Sequence, residues 1–232
     1  MTTATLYRSL LSLDAEHPAI RAAIVDAHHM HALVMSGFAD RLQDYDFFTG
    51  QHTGHGDHRA ALGIQHAVSF RPDGTIRVLV QAAAQPHWHN SDCGKWVDAL
   101  TSTPHTSEYT PILDGTVRYE LRANPVRRDR KRKIALRHHN DLTTWWQRKA
   151  VAAGLHLTSP ASIDAPWQMQ SATKTSRTNP TRSGTGFTID THRFTGFATI
   201  TDPDAHQAAL AAGIGPARAY GCGMMLTMRP RH

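Results

Sequence analysis

The sequence predicts an α+β fold of two tandem ferredoxin-like units, with a glycine-rich loop near the C-terminus. Strand-like segments alternate with stretches of helical periodicity along the chain. Over residues 1–113 their order is β-α-β-β-α-β, the ferredoxin-like pattern, and over residues 116–232 the same order returns in outline. We therefore predict an N-terminal ferredoxin-like domain over 1–113 and a C-terminal one over 116–232.

The elements of the first half follow one another at regular intervals. Residues 3–13 are predicted as a strand, and apolar residues recur at helical spacing from Ala19 to about Phe38, with Pro18 in the first turn. After a loop over residues 50–57, we predict strands over 62–70 and 76–82 joined by a turn at 72–74, a short helix within 94–100, and a strand near 107–113.

The second half begins after a predicted turn at Asp114-Gly115, which also marks the domain boundary. A strand is predicted over 116–122, followed by a basic run and a helix that Asp141 caps and Gly154 ends. The remaining predictions are a long hairpin or flexible loop over 167–184, a strand over 187–200, a helix over 203–212 between Asp202 and Gly213, and a last strand over 221–229.

Composition favours a protein that binds polyanions. The chain has 232 residues, with 25 Lys and Arg against 19 acidic residues and an isoelectric point near 9.7. Nucleic acid is the first candidate partner, and an anionic membrane surface is the second. Cys93 and Cys222 indicate neither a disulfide framework nor a four-cysteine zinc site. The N-terminus does not resemble a signal peptide, and no apolar run approaches the roughly 20 residues that span a bilayer, so we expect a cytoplasmic protein.

A glycine-rich segment lies near the C-terminus, between the last predicted helix and strand. Its sequence is GIGPARAYGCG, with Arg218 at its centre. Glycines allow a backbone to approach a phosphate closely, but a tight helix-to-strand connection needs glycine as well, and spacing alone favours the connection. The segment matches neither a Walker A loop nor a dinucleotide fingerprint. Its glycines are Gly213, Gly215, Gly221 and Gly223.

This segment, extended to GIGPARAYGCGMM, resembles the glycine-rich loop of the Cas6 superfamily. Three further segments resemble the CasE (Cse3) branch of that superfamily in order and spacing, namely TLYRSLLSL, DAHHMHALV, and YELRANPVRR followed by WWQRKA. The resemblance implies two tandem ferredoxin-like (RRM-like) domains and cleavage of CRISPR precursor RNA at the base of the repeat stem-loop. It also implies that the product crRNA is retained within a type I-E Cascade complex. The implied partners are the repeat RNA hairpin and the other Cascade subunits, with no membrane and no cofactor.

Two histidines on the first predicted helix are the candidate catalytic residues. His28 and His31 are three residues apart and therefore share a helical face, and imidazole suits proton transfer near neutral pH. By resemblance, His31 falls on the family's catalytic histidine, and His28 falls where relatives often carry tyrosine. His28 could act as an acid, position the ribose, or do neither. Relatives tend to carry a basic residue where this chain has Ser36, so Arg41 or Arg218 would have to stabilise the developing charge.

Basic segments provide the candidate RNA contacts. Residues 127–137 carry seven Lys or Arg against one Asp, and a position between a strand and a helix favours a binding loop over a solvated one. Residues 174–182 could form a second basic arm. Arg122 is as consistent with a structural role as with RNA contact. The predicted RNA-binding residues are Arg122, Arg127, Arg128, Arg130, Lys131, Arg132, Lys133, Lys174, Arg177, Arg182 and Arg218.

Several other patterns are more consistent with ordinary structure. Trp145 and Trp146 could stack on bases, but adjacent residues of a helix point in different directions, so at least one is expected in the core. His52, His55 and His58 could hold a metal, although a solvated loop fits their small polar neighbours better. The same applies to His87 and His89, which flank Trp88. We therefore predict no metal site.

The resemblance, together with the histidine pair, implies a metal-independent endoribonuclease that leaves 2′,3′-cyclic phosphate and 5′-OH ends. Its main alternative is a catalytically weak or inactive scaffold that binds the crRNA hairpin. A metal-dependent nuclease that uses the His-rich loop is a further alternative. A nucleotide-binding enzyme is last, because no strand–Gly-rich–helix order is present.

Overall fold

The computed structural model describes residues 5–41, 45–46, 51–52, 62–89, 93–94, 96–130, 132–171 and 186–230. The chain divides into two compact units. One consists of Met1–Tyr109 and Met169–Ile189, and the other of Thr110–Gln168 and Asp190–His232. The domains expected from the sequence, 1–113 and 116–232, stay a prediction.

The first unit contains a four-stranded antiparallel sheet. Its elements in chain order are β1 (Leu6–Asp14), α1 (Pro18–Val25), α2 (Ala27–Ser36), the short pair β2 (Tyr45–Asp46) and β3 (Gln51–His52), β4 (Gln65–Phe70), β5 (Thr75–Ala82) and β6 (His105–Tyr109). The sheet order is β4-β5-β1-β6, so the first strand lies in the middle, as a ferredoxin-like unit requires. The first three predicted strands and the turn between β4 and β5 are confirmed, whereas the strand expected near 107–113 lies at His105–Tyr109 and ends before residue 110.

The helix predicted from Ala19 to about Phe38 is wrong as a single element, because the chain breaks it at Asp26. This residue has extended backbone angles, φ −119° and ψ 113°, and its carboxylate oxygen Oδ1 accepts a hydrogen bond from the His28 amide at 2.8 Å. Aspartate at such a position caps a helix N-terminus. The apolar spacing is similar on both sides of the break, so periodicity alone did not reveal that a second helix begins at Ala27.

The core of the first unit lies between one face of the sheet and the two helices. Alternate residues of β1, Leu11 and Leu13, are fully buried together with Met35 of α2. Trp88 packs directly on Gly37, where a β-carbon would lie 2.2 Å from the indole ring. Within 94–100, where a short α-helix was expected, the described residues form a single 3-10 turn over Val97–Ala99.

The second unit has the same strand order. Its elements are β7 (Thr116–Ala123), β8 (Val126–Asp129), β9 (Arg132–Ala135), α3 (His139–Ala152), β10 (Leu155–Leu157), β11 (Ser162–Ile163), β12 (Trp167–Ser171), β13 (Phe187–Ile200), α4 (Pro203–Ala212) and β14 (Met225–Met228). The division into units assigns the end of β12 from Met169 and the start of β13 up to Ile189 to the first unit. The sheet order is β10-β13-β7-β14, and β11 and β12 also pair with β13. The first strand of this half is again central, and β13 spans the predicted residues 187–200.

Three local predictions for the second half need correction. His138, not Asp141, is the N-cap residue of α3; Asp141 lies in the first turn, where a negative charge still favours the helix dipole. The basic run, expected as a loop, forms the antiparallel hairpin β8–β9. The last strand is shorter than predicted and begins at Met225, because the glycine-rich residues before it take left-handed backbone angles.

Aromatic residues dominate the core of the second unit. Trp145 and Trp146 are 3% and 0% exposed, so the indoles are core residues and base stacking by either is not supported. The Trp146 Nε1 donates a hydrogen bond to the Tyr119 hydroxyl at 3.0 Å, and both indoles pack on Phe194 with ring centroids 5.7 Å apart. This arrangement satisfies the buried indole nitrogen of Trp146 and fixes α3 on β7 and β13.

Helix α4 forms as the sequence predicts. The Asp202 carboxylate accepts a hydrogen bond from the Ala205 amide at 3.0 Å, Pro203 occupies the first turn, and Gly213 ends the helix with φ 77°. His206 of this helix is fully buried. Its Nδ1 lies 3.3 Å from the Ala153 carbonyl oxygen, and burial lowers the pKa of the imidazole below its ordinary value of 6.5.

Among the residues that the structure describes, no helix is long and apolar enough to cross a membrane. Cys93 and Cys222 are buried thiols that form no disulfide. Burial raises the pKa of the Cys222 thiol to about 12, so this group stays protonated and unreactive at neutral pH.

Acidification should destabilise the protein through His206. Because its pKa is lower in the folded state, the unfolded chain binds a proton at this residue first as pH falls below about 6.5. The free energy of unfolding should therefore decrease from that pH downward until the folded-state pKa is passed. His206→Asn, which keeps a donor near the Nδ1 position, should show a flatter dependence in denaturant titrations between pH 7 and 5. An identical slope in both proteins would contradict this assignment.

Candidate active site and nucleic-acid interface

The two candidate catalytic histidines lie side by side on α2. Their ring centroids are 6.3 Å apart, which agrees with the predicted shared face. His31 is buried, with 8% of its surface exposed, whereas His28 is half-buried and His29 is exposed. The Asp26 cap holds the His28 amide and thus fixes the helix start close to the pair. Both rings are therefore presented by a rigid element.

The position one turn after His31 provides no charge to this site. Ser36 is buried, and its hydroxyl donates a hydrogen bond to the Leu33 carbonyl at 2.7 Å and accepts one from Trp96 Nε1 at 3.1 Å. It is thus a core residue. The side chain of Arg41, one of the two alternative cations, lies outside the described residues.

The glycine-rich segment closes on itself and attaches to the sheet. Gly213, Gly215, Gly221 and Gly223 all have positive φ. The Ile214 amide donates to the Gly223 carbonyl at 2.8 Å, and the Gly223 amide donates to the Arg122 carbonyl of β7 at 2.7 Å. Arg218 Nη1 donates to the Ala212 carbonyl at 2.6 Å, at the C-terminal end of α4. These contacts support the helix-to-strand connection, and phosphate contact by this segment stays a prediction.

The basic run is presented on the β8–β9 hairpin. Within the described part of the chain, its exposed basic residues are Arg127, Arg128, Arg130, Arg132 and Lys133. Arg130 at the tip has φ 50°, a left-handed conformation that is uncommon for a residue with a β-carbon. Lys131 lies outside the described residues, as do Lys174, Arg177 and Arg182 of the predicted second arm.

The cross-strand pairs of this hairpin carry both like and unlike charges. Asp129 lies opposite Arg132, which is a favourable pair, but Arg128 lies directly opposite Lys133. Like charges at facing positions destabilise an antiparallel pair. The Arg128–Lys133 pair therefore concentrates positive charge on one face of the hairpin at a cost to the hairpin itself.

Arg122 is packed against protein groups. Its guanidinium lies 4.7 Å from the centroid of the Trp167 ring, within the range of a cation–π contact, and burial lowers its pKa. The neighbouring Arg193 makes hydrogen bonds of 2.7 and 2.6 Å to the Asp164 carboxylate. These contacts give Arg122 a structural role, and RNA contact by this residue stays a prediction.

A buried carboxylate at the base of the hairpin was not singled out in the sequence. Asp190 of β13 is 6% exposed. Its Oδ2 accepts hydrogen bonds from Arg137 Nε and Nη2 at 2.8 and 2.7 Å, and its Oδ1 accepts one from Gln168 Nε2 at 2.9 Å. Burial raises the pKa of Asp190, but these hydrogen bonds outweigh it and leave the pKa below its ordinary value. The available signal was an acidic residue inside an otherwise strand-like run.

No candidate metal centre is found in the part of the chain that the structure describes, where no three His, Cys, Asp or Glu side chains cluster suitably. The side chain of His52 lies outside those residues, as do His55 and His58. His87 Nδ1 is 2.8 Å from the Asp40 carboxylate, and His89 is exposed. The contacts of His87 and the exposure of His89 therefore do not support a metal site at these two residues.

Comparisons with known proteins show which family and which solved structures this chain is similar to. A family model described as "CRISPR associated protein" matches residues 6–230. The CRISPR-associated endoribonuclease Cse3 of Thermus thermophilus is 23% identical over 218 residues, covering 90% of this chain and 94% of that protein. A structure of Cse3 bound to a 19-nucleotide RNA matches with a TM-score of 0.76 at 19% identity, covering 97% and 100% of the two chains. A chain of a CRISPR RNA-guided surveillance complex matches with a TM-score of 0.59 at 18% identity, covering 97% and 100%. The predicted α+β fold with ferredoxin-like domains is confirmed, whereas the glycine-rich loop as a family feature stays a prediction.

Removing the Asp26 cap should disturb the histidine-bearing helix α2, whereas removing the cap of another helix should not. Asp26→Ala should lower the free energy of unfolding by about 1 kcal/mol, as loss of an N-cap typically does, and should shift the NMR signals of the His28 and His31 rings. Asp202→Ala is the matched control, because it removes the equivalent cap of α4. It should cost a similar free energy and leave both histidine signals in place. Unchanged histidine signals in Asp26→Ala would show that the cap does not position the pair.

Proposed function

This chain belongs to the family of CRISPR-associated proteins, and from that premise we propose that it is a metal-independent endoribonuclease acting on CRISPR precursor RNA. The proposed cut lies at the base of the repeat stem-loop. The observation that carries the proposal is the pair of histidine rings 6.3 Å apart on α2. The resemblance to the CasE type, which is confirmed, supports the choice of substrate.

The proposed reaction is an intramolecular transesterification. The 2′-OH upstream of the cut attacks its own 3′-phosphate, the bond to the 5′-oxygen breaks, and the products carry a 2′,3′-cyclic phosphate and a 5′-OH. One base takes the proton of the 2′-OH and one acid gives a proton to the leaving oxygen. The attacking group is already attached to the substrate, so the reaction needs positioning and proton transfer rather than a metal-bound water.

The histidine pair fits these two roles by distance. A proton-transfer group must come within about 3 Å of its oxygen, so rings with centroids 6.3 Å apart can reach the attacking and the leaving oxygen of one phosphate. His31 is proposed as general base or general acid. His28 is proposed for the second proton or for positioning the ribose. The charge that develops on the phosphate requires a cation, for which Arg41 and Arg218 remain the proposed sources.

RNA binding is proposed for the β8–β9 hairpin. Its facing Arg128 and Lys133 repel each other in the free protein, and phosphate groups placed near both would relieve that repulsion. A-form RNA has a deep, narrow major groove, so phosphate and shape contacts should outweigh base reading. We propose that these residues, together with the other predicted basic positions, grip the repeat stem.

Product retention is the last part of the proposal. The Cse3 of one matched structure is bound to RNA, and another matched chain belongs to an RNA-guided surveillance complex. We propose that this protein likewise stays on the crRNA and assembles with the other subunits of a type I-E Cascade. This assignment rests on relatedness and on the shared fold.

One alternative function has specific support. His28 falls where relatives often carry tyrosine, and Ser36 is a core residue that brings no charge to the histidine pair. A protein with these two departures could bind the crRNA hairpin and cut it slowly or not at all. It would then serve Cascade as a scaffold. Cleavage of repeat RNA by the isolated protein separates the two functions.

Cleavage should depend on His31 and on the 2′-OH, but not on metal. The purified protein should cut its own repeat RNA once in excess EDTA, and should bind but not cut RNA with a single 2′-deoxy nucleotide upstream of the cut. His31→Ala should bind normally and lose about 10²–10⁴-fold in cleavage rate, the usual contribution of a general acid or base. His29→Ala, on the exposed side of the same helix, is the matched control and should cut at the parent rate. RNA that is bound but never cut would instead establish the scaffold.

Affinity should depend on the facing cations of the hairpin. Arg128→Ala with Lys133→Ala should weaken repeat RNA binding about a hundredfold or more, since each of the two charge-assisted hydrogen bonds lost contributes about 1.5–3 kcal/mol. The slope of log affinity against log salt should fall by roughly 0.7–0.9 for each phosphate that the double variant no longer binds. Arg71→Ala, which removes an exposed arginine beside the β4–β5 turn, should change neither quantity. Equal salt slopes in the parent and the double variant would remove the hairpin from the interface.

A further inference from the structure

The basic hairpin has little support of its own. In the described residues, β8 and β9 pair only with each other and form a separate two-stranded sheet. Isolated two-stranded hairpins are marginally stable in water, and the facing Arg128 and Lys133 weaken this one further. Its direction relative to the rest of the second unit must therefore be set by contacts at its base.

Two consecutive residues at that base make such contacts. The Leu136 amide donates to the Pro125 carbonyl at 2.9 Å, and the Leu136 side chain is buried in the core of the second unit. The next residue, Arg137, places two guanidinium N–H groups on one carboxylate oxygen of Asp190. The buried Leu136 side chain fixes the point at which the hairpin leaves the core. The contact between Arg137 and Asp190 also fixes the direction of the hairpin, because a planar guanidinium bonds a carboxylate only in restricted orientations.

Asp190 is itself held by a second strand. Its other oxygen accepts from Gln168 of β12 at 2.9 Å, and the neighbouring Thr191 hydroxyl donates to the Trp167 carbonyl at 2.8 Å. The carboxylate therefore joins three segments, namely the end of the basic hairpin, β12 and β13. Each oxygen is hydrogen-bonded, and the side chain is 6% exposed, so it is poorly placed to contact RNA.

We propose that Asp190 is a positioning residue that acts through Arg137 to hold the basic hairpin in the orientation that grips the repeat RNA. The proposal rests on the proposed function, because it assumes that the hairpin contacts RNA. A negative charge close to a polyanion-binding element opposes binding on electrostatic grounds alone. Its presence there is explained if the orientation it fixes contributes more to affinity than its charge removes.

The charge of Asp190 and its positioning of the hairpin should affect RNA affinity in opposite directions, so one substitution can distinguish them. Asp190→Asn removes a negative charge and releases Arg137, so electrostatics alone predicts repeat RNA binding that is unchanged or tighter. Loss of positioning predicts binding about tenfold weaker, with an unchanged salt slope because the same phosphates are still bound. Asp114→Asn is the matched control, since Asp114 also pairs with an arginine, Arg229, but lies apart from the hairpin sequence. It should bind RNA as the parent does.

Hydrogen exchange measured without RNA tests whether the Arg137–Asp190 pair holds the hairpin in place. Amide hydrogen exchange over residues 126–135 should be several-fold faster in Asp190→Asn than in the parent, while exchange in α4 should be unchanged. Unchanged exchange in the hairpin would overturn the proposal whatever the RNA affinity. Faster exchange with unchanged RNA affinity would overturn it as well, because the orientation would then not matter for binding.

A double variant separates positioning from stability. Arg137→Met alone leaves a buried carboxylate with one partner and should lower stability; adding Asp190→Leu removes that carboxylate and should restore it. If the pair positions the hairpin, RNA affinity stays low in the double variant although stability returns, and the salt slope equals that of the parent; because Arg137 is itself an exposed cation, a lower salt slope would instead mean a lost phosphate contact and would overturn the proposal. If both stability and RNA affinity returned in the double variant, the Arg137–Asp190 pair would contribute to stability alone, and the proposal would be overturned. Failure of the underlying function is distinguished by the Arg128 and Lys133 double variant, which would then bind RNA like the parent.

Discussion

One-sided burial of the two sheets is the constraint on which the rest of this structure depends. In β7, alternate residues Val117, Tyr119, Leu121 and Ala123 are completely buried, while the intervening residues Thr116, Arg118, Glu120 and Arg122 point to the other face. Because strand residues alternate between faces, the helices can cover only the apolar side. Clustered charge is therefore carried by parts of the chain outside the core ladder, here the β8–β9 hairpin. Helix α2 is covered more completely, because seven of its ten residues are buried, His31 among them, whereas His28 is half-buried and His29 is exposed.

Buried polar groups determine how accurately those exposed parts are positioned. Asp26 is buried and begins α2, so the two histidines follow from a fixed helix start. Asp190 is buried and holds Arg137 at the hairpin base. In both cases the carboxylate of a buried aspartate accepts hydrogen bonds from identified donors. Removing those donors would leave a buried charge without partners and would lower the free energy of unfolding. Under the proposed function, catalysis and RNA binding would thus both depend on residues that need not touch the substrate.

Local signals explain which parts could be predicted from the sequence. Strand β13 and helix α4 were predicted to the residue, because a long strand-like run and an Asp-Pro start with a Gly stop are encoded locally. The break at Asp26 was missed because the apolar spacing continues across it. The β8–β9 hairpin could not be predicted because Arg130 at its turn has a left-handed φ, whereas such turns usually contain glycine or asparagine. The Arg137–Asp190 pair joins residues 53 apart, and no local pattern could reveal it.

We propose that the histidine pair on α2 transfers protons and that the β8–β9 hairpin binds phosphates. The two functions have opposite structural requirements, which explains why separate elements carry them. Proton transfer needs groups held within fractions of an ångström, which a capped helix packed on a sheet provides. Phosphate binding needs exposed positive charge, which weakens the element that carries it, as Arg128 facing Lys133 shows. Placing that charge on a separate hairpin keeps the repulsion out of the core. In the proposed arrangement, the Arg137–Asp190 ion pair at the hairpin base fixes the hairpin's direction, and the buried carboxylate adds no exposed negative charge near the proposed RNA-binding residues.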